Sequence, residues 1–78
     1  MKVEVFYNEG CQKCRMTIDI FKHKGVNVIA TPMTDEIISK SKERGWRVAP
    51  IVQVTDDDNT LLDEWNDFRV DKINRWGK

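Results

Sequence analysis

A chain of 78 residues has room for one domain, here expected over residues 1–78, and little interior to spare. Its 13 lysines and arginines balance 13 aspartates and glutamates, which argues against nucleic acid or an anionic membrane surface as partner, since either asks for a basic excess. With 40% hydrophobic residues in clear patterns it is not a disordered chain, and no apolar run approaches the ~20 residues of a membrane span.

The first residues, Met1-Lys2-Val3-Glu4-Val5, alternate polar and apolar. A secretory leader would continue from a basic start into an unbroken apolar stretch, so the expected compartment is the cytoplasm. Met1 to Asn8 reads as a strand with Val3 and Val5 on one face, broken by Glu9-Gly10. A helix is expected from about Gln12 to Lys24, with Cys14, Thr17, Ile18 and Phe21 on one side. Lys22, His23 and Lys24 suit the negative end of its dipole, and Gly25 ends it. Val26 to Thr31 reads as a second strand, closed by Pro32.

Thr34 is an N-cap, followed by Asp35 and Glu36 in the first turn of a second helix. Ile37, Ile38 and Ser41 form its inner side. Lys40, Lys42 and Arg44 precede Gly45, a helix stop. A third strand, Ile51 to Thr55, is entered through Pro50. Asp56-Asp57-Asp58-Asn59 turns the chain into a short fourth strand, Thr60 to Glu64, as a hairpin. Asp67 or a neighbour begins a last helix carrying Phe68, Ile73 and Trp76. The order is β-α-β-α-β-β-α. The first two strands, joined through a helix, should lie parallel with a right-handed crossover. The expected class is α/β, a four-stranded mixed sheet flanked by three helices.

Cys11-Gln12-Lys13-Cys14 follows the first strand and opens the first helix, the context in which such a pair does redox chemistry. A cysteine at a helix N-terminus faces unpaired N–H groups and the positive end of the dipole, which favours the thiolate, the nucleophilic form. Lys13 adds positive charge beside it. Cys14, one turn deeper, should be less exposed. The roles follow: Cys11 attacks a substrate disulfide, and Cys14 resolves the mixed disulfide. The competing reading is metal, but closed zinc sites use four ligands, and this chain has two cysteines and one histidine. His23 lies about two turns along the same helix and is read as a helix C-terminal cation or a neutral surface residue, not a general base. Zinc or a cluster bridging two chains stays open.

Other conspicuous residues have plain explanations. Asp56-Asp57-Asp58 lacks the glycine and later glutamate of a calcium loop and reads as a solvated turn. Trp76 is expected to cap the core and Trp65 to lie on a functional surface, while Met16 packs at the helix surface near Cys14.

Three blocks carry a resemblance. After the first strand comes Cys11-Gln12-Lys13-Cys14. Gly45-Trp46-Arg47-Val48-Ala49-Pro50-Ile51-Val52 is similar to a G-F-R-x-x-P-V-V segment, and Trp65-Asn66-Asp67-Phe68-Arg69-Val70-Asp71-Lys72-Ile73 to a W-S-G-F-R-P-D-x-I motif. In this order and spacing they resemble the NrdH-redoxins, glutaredoxin-like proteins of the thioredoxin superfamily. The chain departs at Asn66-Asp67, where the family has Ser-Gly, at Val70, where it has proline, and at Gln12-Lys13, usually Val-Gln.

The resemblance implies a thioredoxin-like, glutaredoxin-type fold with Cys11 and Cys14 as the dithiol and Gln12 and Lys13 supporting it. Pro50 becomes a cis-proline beside the site, with the Ala49 backbone offered to an incoming peptide. Trp65, Asn66, Asp67, Phe68 and Arg69 become the surface that meets a partner. It further implies no bound cofactor, electrons drawn ultimately from NADPH through thioredoxin reductase, delivery to the large subunit of class Ib ribonucleotide reductase, and a monomer.

Two alternatives accompany this reading. A glutathione-dependent glutaredoxin commonly has a Gly-Gly-x-Asp type turn before its last helix. Here Asp63-Glu64-Trp65-Asn66-Asp67 has no glycine, Trp65 is expected to crowd a tripeptide, and three carboxylates repel an anionic ligand. Asp67 still offers a partner to the ligand's amino group. The alternative of another class is a metal- or cluster-binding or regulatory binding module.

Overall fold

The computed structural model describes residues 1–77. Strand β1 spans Lys2–Tyr7, helix α1 Gln12–His23, β2 Val28–Pro32, α2 Asp35–Glu43, β3 Ile51–Thr55, β4 Leu61–Asn66 and α3 Val70–Trp76. The sheet order is β2-β1-β3-β4. β1 and β2 run parallel, as their helical crossover requires, and β3 pairs antiparallel with both β1 and β4. The expected element order and mixed sheet are both found.

Alternation along the strands decides what each face meets. The register sets Val3 opposite Val54 and Val5 opposite Val52, and these four fully buried valines make one face. Phe21 of α1 and Ile73 of α3 pack on it with Trp65 of β4. Each such apolar side chain contributes about 1.5–3 kcal/mol by leaving water. Thr17 is buried on the same side of α1, its hydroxyl satisfied by donating to the Lys13 carbonyl at 2.9 Å. Phe6 and Ile51 point to the other face, where α2 buries only Ser41 among its own residues. Ile38, expected on the inner side, is 38% exposed: α2 is a thin cover.

Caps behave as the side chains dictate. Thr34 Oγ1 accepts the Ile37 N–H at 3.2 Å, and Gly45, just past α2, takes φ +76°, where a side chain would be strained.

Several boundaries differ from expectation, and four of the differences have a plain cause. β2 starts at Val28, not Val26, because the Val26 N–H still closes the end of α1 on the Phe21 carbonyl and pairing with β1 begins at Val3 opposite Val28. Pro32 is the last residue of β2 rather than its terminator; an edge strand tolerates a missing N–H. β4 runs to Asn66, two residues past the expected Glu64, since Trp65 and Asn66 pair with Val52 and Ile51. α3 starts at Val70, with Asp67 and Phe68 in the turn before it, because Asp67 sits at φ +71° and cannot belong to a right-handed helix.

Candidate active site

β1 delivers the chain to the loop 8–10, which turns through Gly10 at φ +71°. The Cys11 N–H donates to the Asn8 carbonyl at 3.3 Å, fixing the next residue as N-cap of α1. Cys11 takes the place a serine or aspartate usually fills: its Sγ accepts the Cys14 N–H at 3.1 Å. Cys11 and Cys14 are joined as a disulfide, with Cα atoms 5.3 Å apart. Cys11 is half-buried and Cys14 is 1% exposed, so a large partner can reach the first sulfur and not the second. When the pair is reduced, the Cys11 sulfur still faces the amides and positive dipole of the helix start, which favours its thiolate. A cleft of about 610 Å³ opens beside it, lined by both cysteines with Tyr7, Arg15, Met16 and Asp19.

Lys13 does not act as an unpaired charge. Its Nζ donates to Asp67 Oδ1 at 2.9 Å, so the positive charge expected next to Cys11 is largely compensated. That bond, followed by one from the Phe68 N–H, holds the Asp67 carboxyl below the ordinary carboxylate range. The Asp67 N–H in turn donates to the Pro50 carbonyl at 2.9 Å. One residue therefore ties the start of α1, the turn before α3 and the entry to β3. The pairing crosses 54 positions, and nothing local in the sequence announces it.

The Ala49–Pro50 peptide is cis, as the resemblance implied. Asn66 Nδ2 donates to the Val48 carbonyl at 3.2 Å and steadies the loop ahead of it. Among the described residues, neither the N–H nor the C=O of Ala49 has a hydrogen-bond partner. Gln12 is exposed.

The remaining expected surface residues separate. Trp65 is corrected: only 2% exposed, it belongs to the core, because β4 extends through it and turns its ring inward. It offers no face to a partner and crowds no surface ligand. Phe68 is half-buried against the same core, and Arg69 is exposed but doubly bonded to Asp71 at 2.8 and 3.0 Å. That guanidinium holds the Asp71 carboxyl down to about 2. Sequence reasoning missed Asn8, whose carbonyl seats Cys11, and the cluster in which Asp63 accepts from Lys72 and Trp76. Among the described residues no three His, Cys, Asp or Glu side chains are grouped to hold a metal, and no helix is long and apolar enough to cross a membrane.

Fold and dithiol together define a class: a thioredoxin-like chain with a Cys-x-x-Cys disulfide at the start of its first helix. No family model and no curated protein matches the sequence. Among solved structures it is similar to NrdH-redoxin of Escherichia coli, a glutaredoxin-like protein described as having a thioredoxin-like activity profile. The two share 23% identity over 97% of this chain and 95% of that one, with a TM-score of 0.78. It is also similar to thioredoxin f2 of Chlamydomonas reinhardtii (15% identity, 95% of this chain and 72% of that one, TM-score 0.63) and to thioredoxin 1 of Thermosipho africanus (21%, 95% and 88%, 0.60). The fold is thus thioredoxin-like, and the resemblance carried by the three sequence blocks has a structural counterpart.

Proposed function

We propose that this protein is a dithiol–disulfide oxidoreductase, an electron donor of the NrdH-redoxin kind. The observation that carries the reading is the Cys11 sulfur: it caps α1, accepts the Cys14 N–H, and is the reachable member of a disulfide whose other half is buried. In the reduced protein the Cys11 thiolate attacks a substrate disulfide. One S–S bond forms between Cys11 and the substrate as the substrate's own breaks, and a substrate thiolate leaves to take a proton from water. Cys14 then gives up its proton and attacks Cys11 Sγ, restoring the intramolecular disulfide and releasing the second substrate thiol. Two electrons pass from protein to substrate.

The resemblance supports thioredoxin reductase, fed by NADPH, as the enzyme that reverses this oxidation, and class Ib ribonucleotide reductase as the acceptor in the cytoplasm. The Ala49 backbone, without a hydrogen-bond partner among the described residues, supports docking of a partner as an extended strand. Glutathione is the second reading, favoured by one observation: with Trp65 in the core, nothing bulky from that residue obstructs a tripeptide at the turn before α3. Asp67, however, already carries the Lys13 ammonium in the place a ligand's amino group would need.

The deciding experiment mixes the oxidised protein with NADPH and either thioredoxin reductase, or glutathione and its reductase, and follows NADPH consumption. Turnover with thioredoxin reductase alone is expected. Turnover with glutathione alone would replace the NrdH-type reading by a glutaredoxin, and turnover with neither would remove both.

A further inference from the structure

Resolution requires Cys14 to lose its proton, yet Cys14 is 1% exposed, and burial away from water disfavours a thiolate. A buried base beside it would answer that difficulty. Among the described residues the buried polar side chains are Thr17 and Ser41, and neither is a base. Ser41 belongs to α2, across the sheet. The charged groups near the two sulfurs stand toward the surface: Lys13, bound to Asp67 of the turn before α3, and Arg15, Asp19 and Lys22 of α1 with Glu9 of the loop ahead of it. Tyr7 of β1 adds a half-buried phenol to the cleft that these groups line.

Thr17 stands closer to the need. It lies three positions after Cys14, so both project from one face of α1, and both are buried. Helical side chains lean toward the N-terminus, which aims Thr17 at the turn holding Cys14. In the disulfide form its Oγ1 donates to the Lys13 carbonyl at 2.9 Å. The helical pattern also gives that carbonyl the Thr17 N–H, so the hydroxyl can leave without stranding it. A threonine in a helix has two favoured χ1 rotamers, which set its hydroxyl toward residue i−4 or residue i−3. Here those residues are Lys13 and Cys14.

We propose that the Thr17 hydroxyl is a catalytic donor in the resolving step, turning from the Lys13 carbonyl to the Cys14 sulfur as that sulfur becomes a thiolate. The proposal rests on the redox reading. With a mixed disulfide on Cys11, Cys14 passes its proton to water in the cleft that it lines, and its thiolate accepts the Thr17 O–H. The thiolate attacks Cys11 Sγ, the Cys11–Cys14 bond forms, and the substrate sulfur departs with the electron pair of the bond that breaks. A hydroxyl donor lowers the cost of a buried anion without itself titrating, so it speeds resolution and leaves the attack by Cys11 alone.

The two steps separate with dithiobisnitrobenzoate, an aromatic disulfide that releases one coloured thiolate when Cys11 attacks and a second when Cys14 resolves. Attack is bimolecular and resolution is not, so an excess of reagent in a stopped-flow cell makes resolution the slower, concentration-independent phase. Thr17→Val is expected to leave the first phase within about twofold, to slow the second about tenfold near neutral pH, and to move its pH midpoint up by about one unit. Thr17→Ser and Thr17→Ala both lose the methyl group, and serine alone keeps the hydroxyl. The serine variant should follow the parent, and the alanine variant the valine one. This comparison decides the matter even if Thr17→Val does not fold. Equal second phases in the serine and alanine variants, or a Thr17→Val second phase with the parent's rate and midpoint, would overturn the proposal. Absence of the first phase in the parent would remove the redox reading instead.

Discussion

At the scale of single residues, the two sulfurs divide one task by position. Cys11 is the cap and can be reached; Cys14 is walled in one turn behind it. Cys11→Ser should abolish disulfide reduction, whereas Cys14→Ser should stall as a mixed disulfide visible by non-reducing electrophoresis. Full turnover by the Cys11 variant would reverse the assignment. Lys13 and Asp67 make a second division. As long as Asp67 compensates it, the Lys13 ammonium does little for the neighbouring sulfur. Asp67→Asn removes that compensation while keeping a side chain that tolerates the left-handed backbone at φ +71°. The reduced variant should show a larger thiolate fraction near neutral pH by ultraviolet absorbance, and an unchanged titration would show that Lys13 does not act on Cys11. The dithiol was legible because its chemistry lies within four consecutive residues at a strand–helix junction. The Lys13–Asp67 pair was not, since an ion pair between distant segments leaves no periodicity. Trp65 was misread because burial depends on where a strand stops, and β4 stops two residues later than its turn residues suggest.

At the scale of elements, α3 is held to the sheet by the packing of Ile73 and by one carboxylate. Asp63 on β4 accepts from Lys72 Nζ at 2.9 Å and from Trp76 Nε1 at 2.9 Å, while Lys72 also stands 5.8 Å from the Trp65 ring centre. Partial burial pushes the Asp63 carboxyl up, but the bonds from Lys72, Trp76 and the Glu64 N–H outweigh it and hold the group below its usual range. A folded-state pKa below the unfolded one, ~3.9, means that the stabilisation is whole above that pH and is lost as pH falls through the folded value. Asp63→Asn keeps an acceptor for Trp76 and loses the ionic part. It should cost about 1 kcal/mol at pH 7, and the gap to the parent should narrow in thermal melts as pH falls below the ordinary carboxylate range. A gap independent of pH would mean that the loss is one of packing. Nothing in the sequence linked Asp63 to α3, whose start was itself placed too early. Capping rules locate helices that begin with a side-chain cap, as Thr34 does for α2, whereas α3 begins at Arg69 with no side-chain bond.

At the scale of the molecule, the topology was legible because a strand, a helix and a second strand in sequence admit essentially one handedness, and a tight turn forces the last two strands antiparallel. What the pattern did not carry was how thinly α2 covers its face. A chain of 78 residues, at ~0.05–0.15 kcal/mol per residue, holds about 4–12 kcal/mol of stability. Truncating Phe21, wholly buried between α1 and the sheet, to alanine should cost about 3–5 kcal/mol, a large part of that margin. A redox carrier meets the same narrow margin each time its disulfide opens, so the fold has to stand without the bond. Cys11 and Cys14 are three positions apart, so the disulfide restrains only a short loop and adds about 2 kcal/mol by chain entropy. Reduction offsets part of this, because the freed Cys11 thiolate is a better acceptor for the Cys14 N–H and a better partner for the helix dipole than a disulfide sulfur. The core of Val3, Val5, Val52, Val54, Phe21, Trp65 and Ile73 contains neither cysteine. The dithiol form should therefore keep the circular dichroism of the disulfide form and melt no more than about 10 °C lower. Loss of tertiary signal on reduction would show that the disulfide staples the fold, a role at odds with carrying electrons.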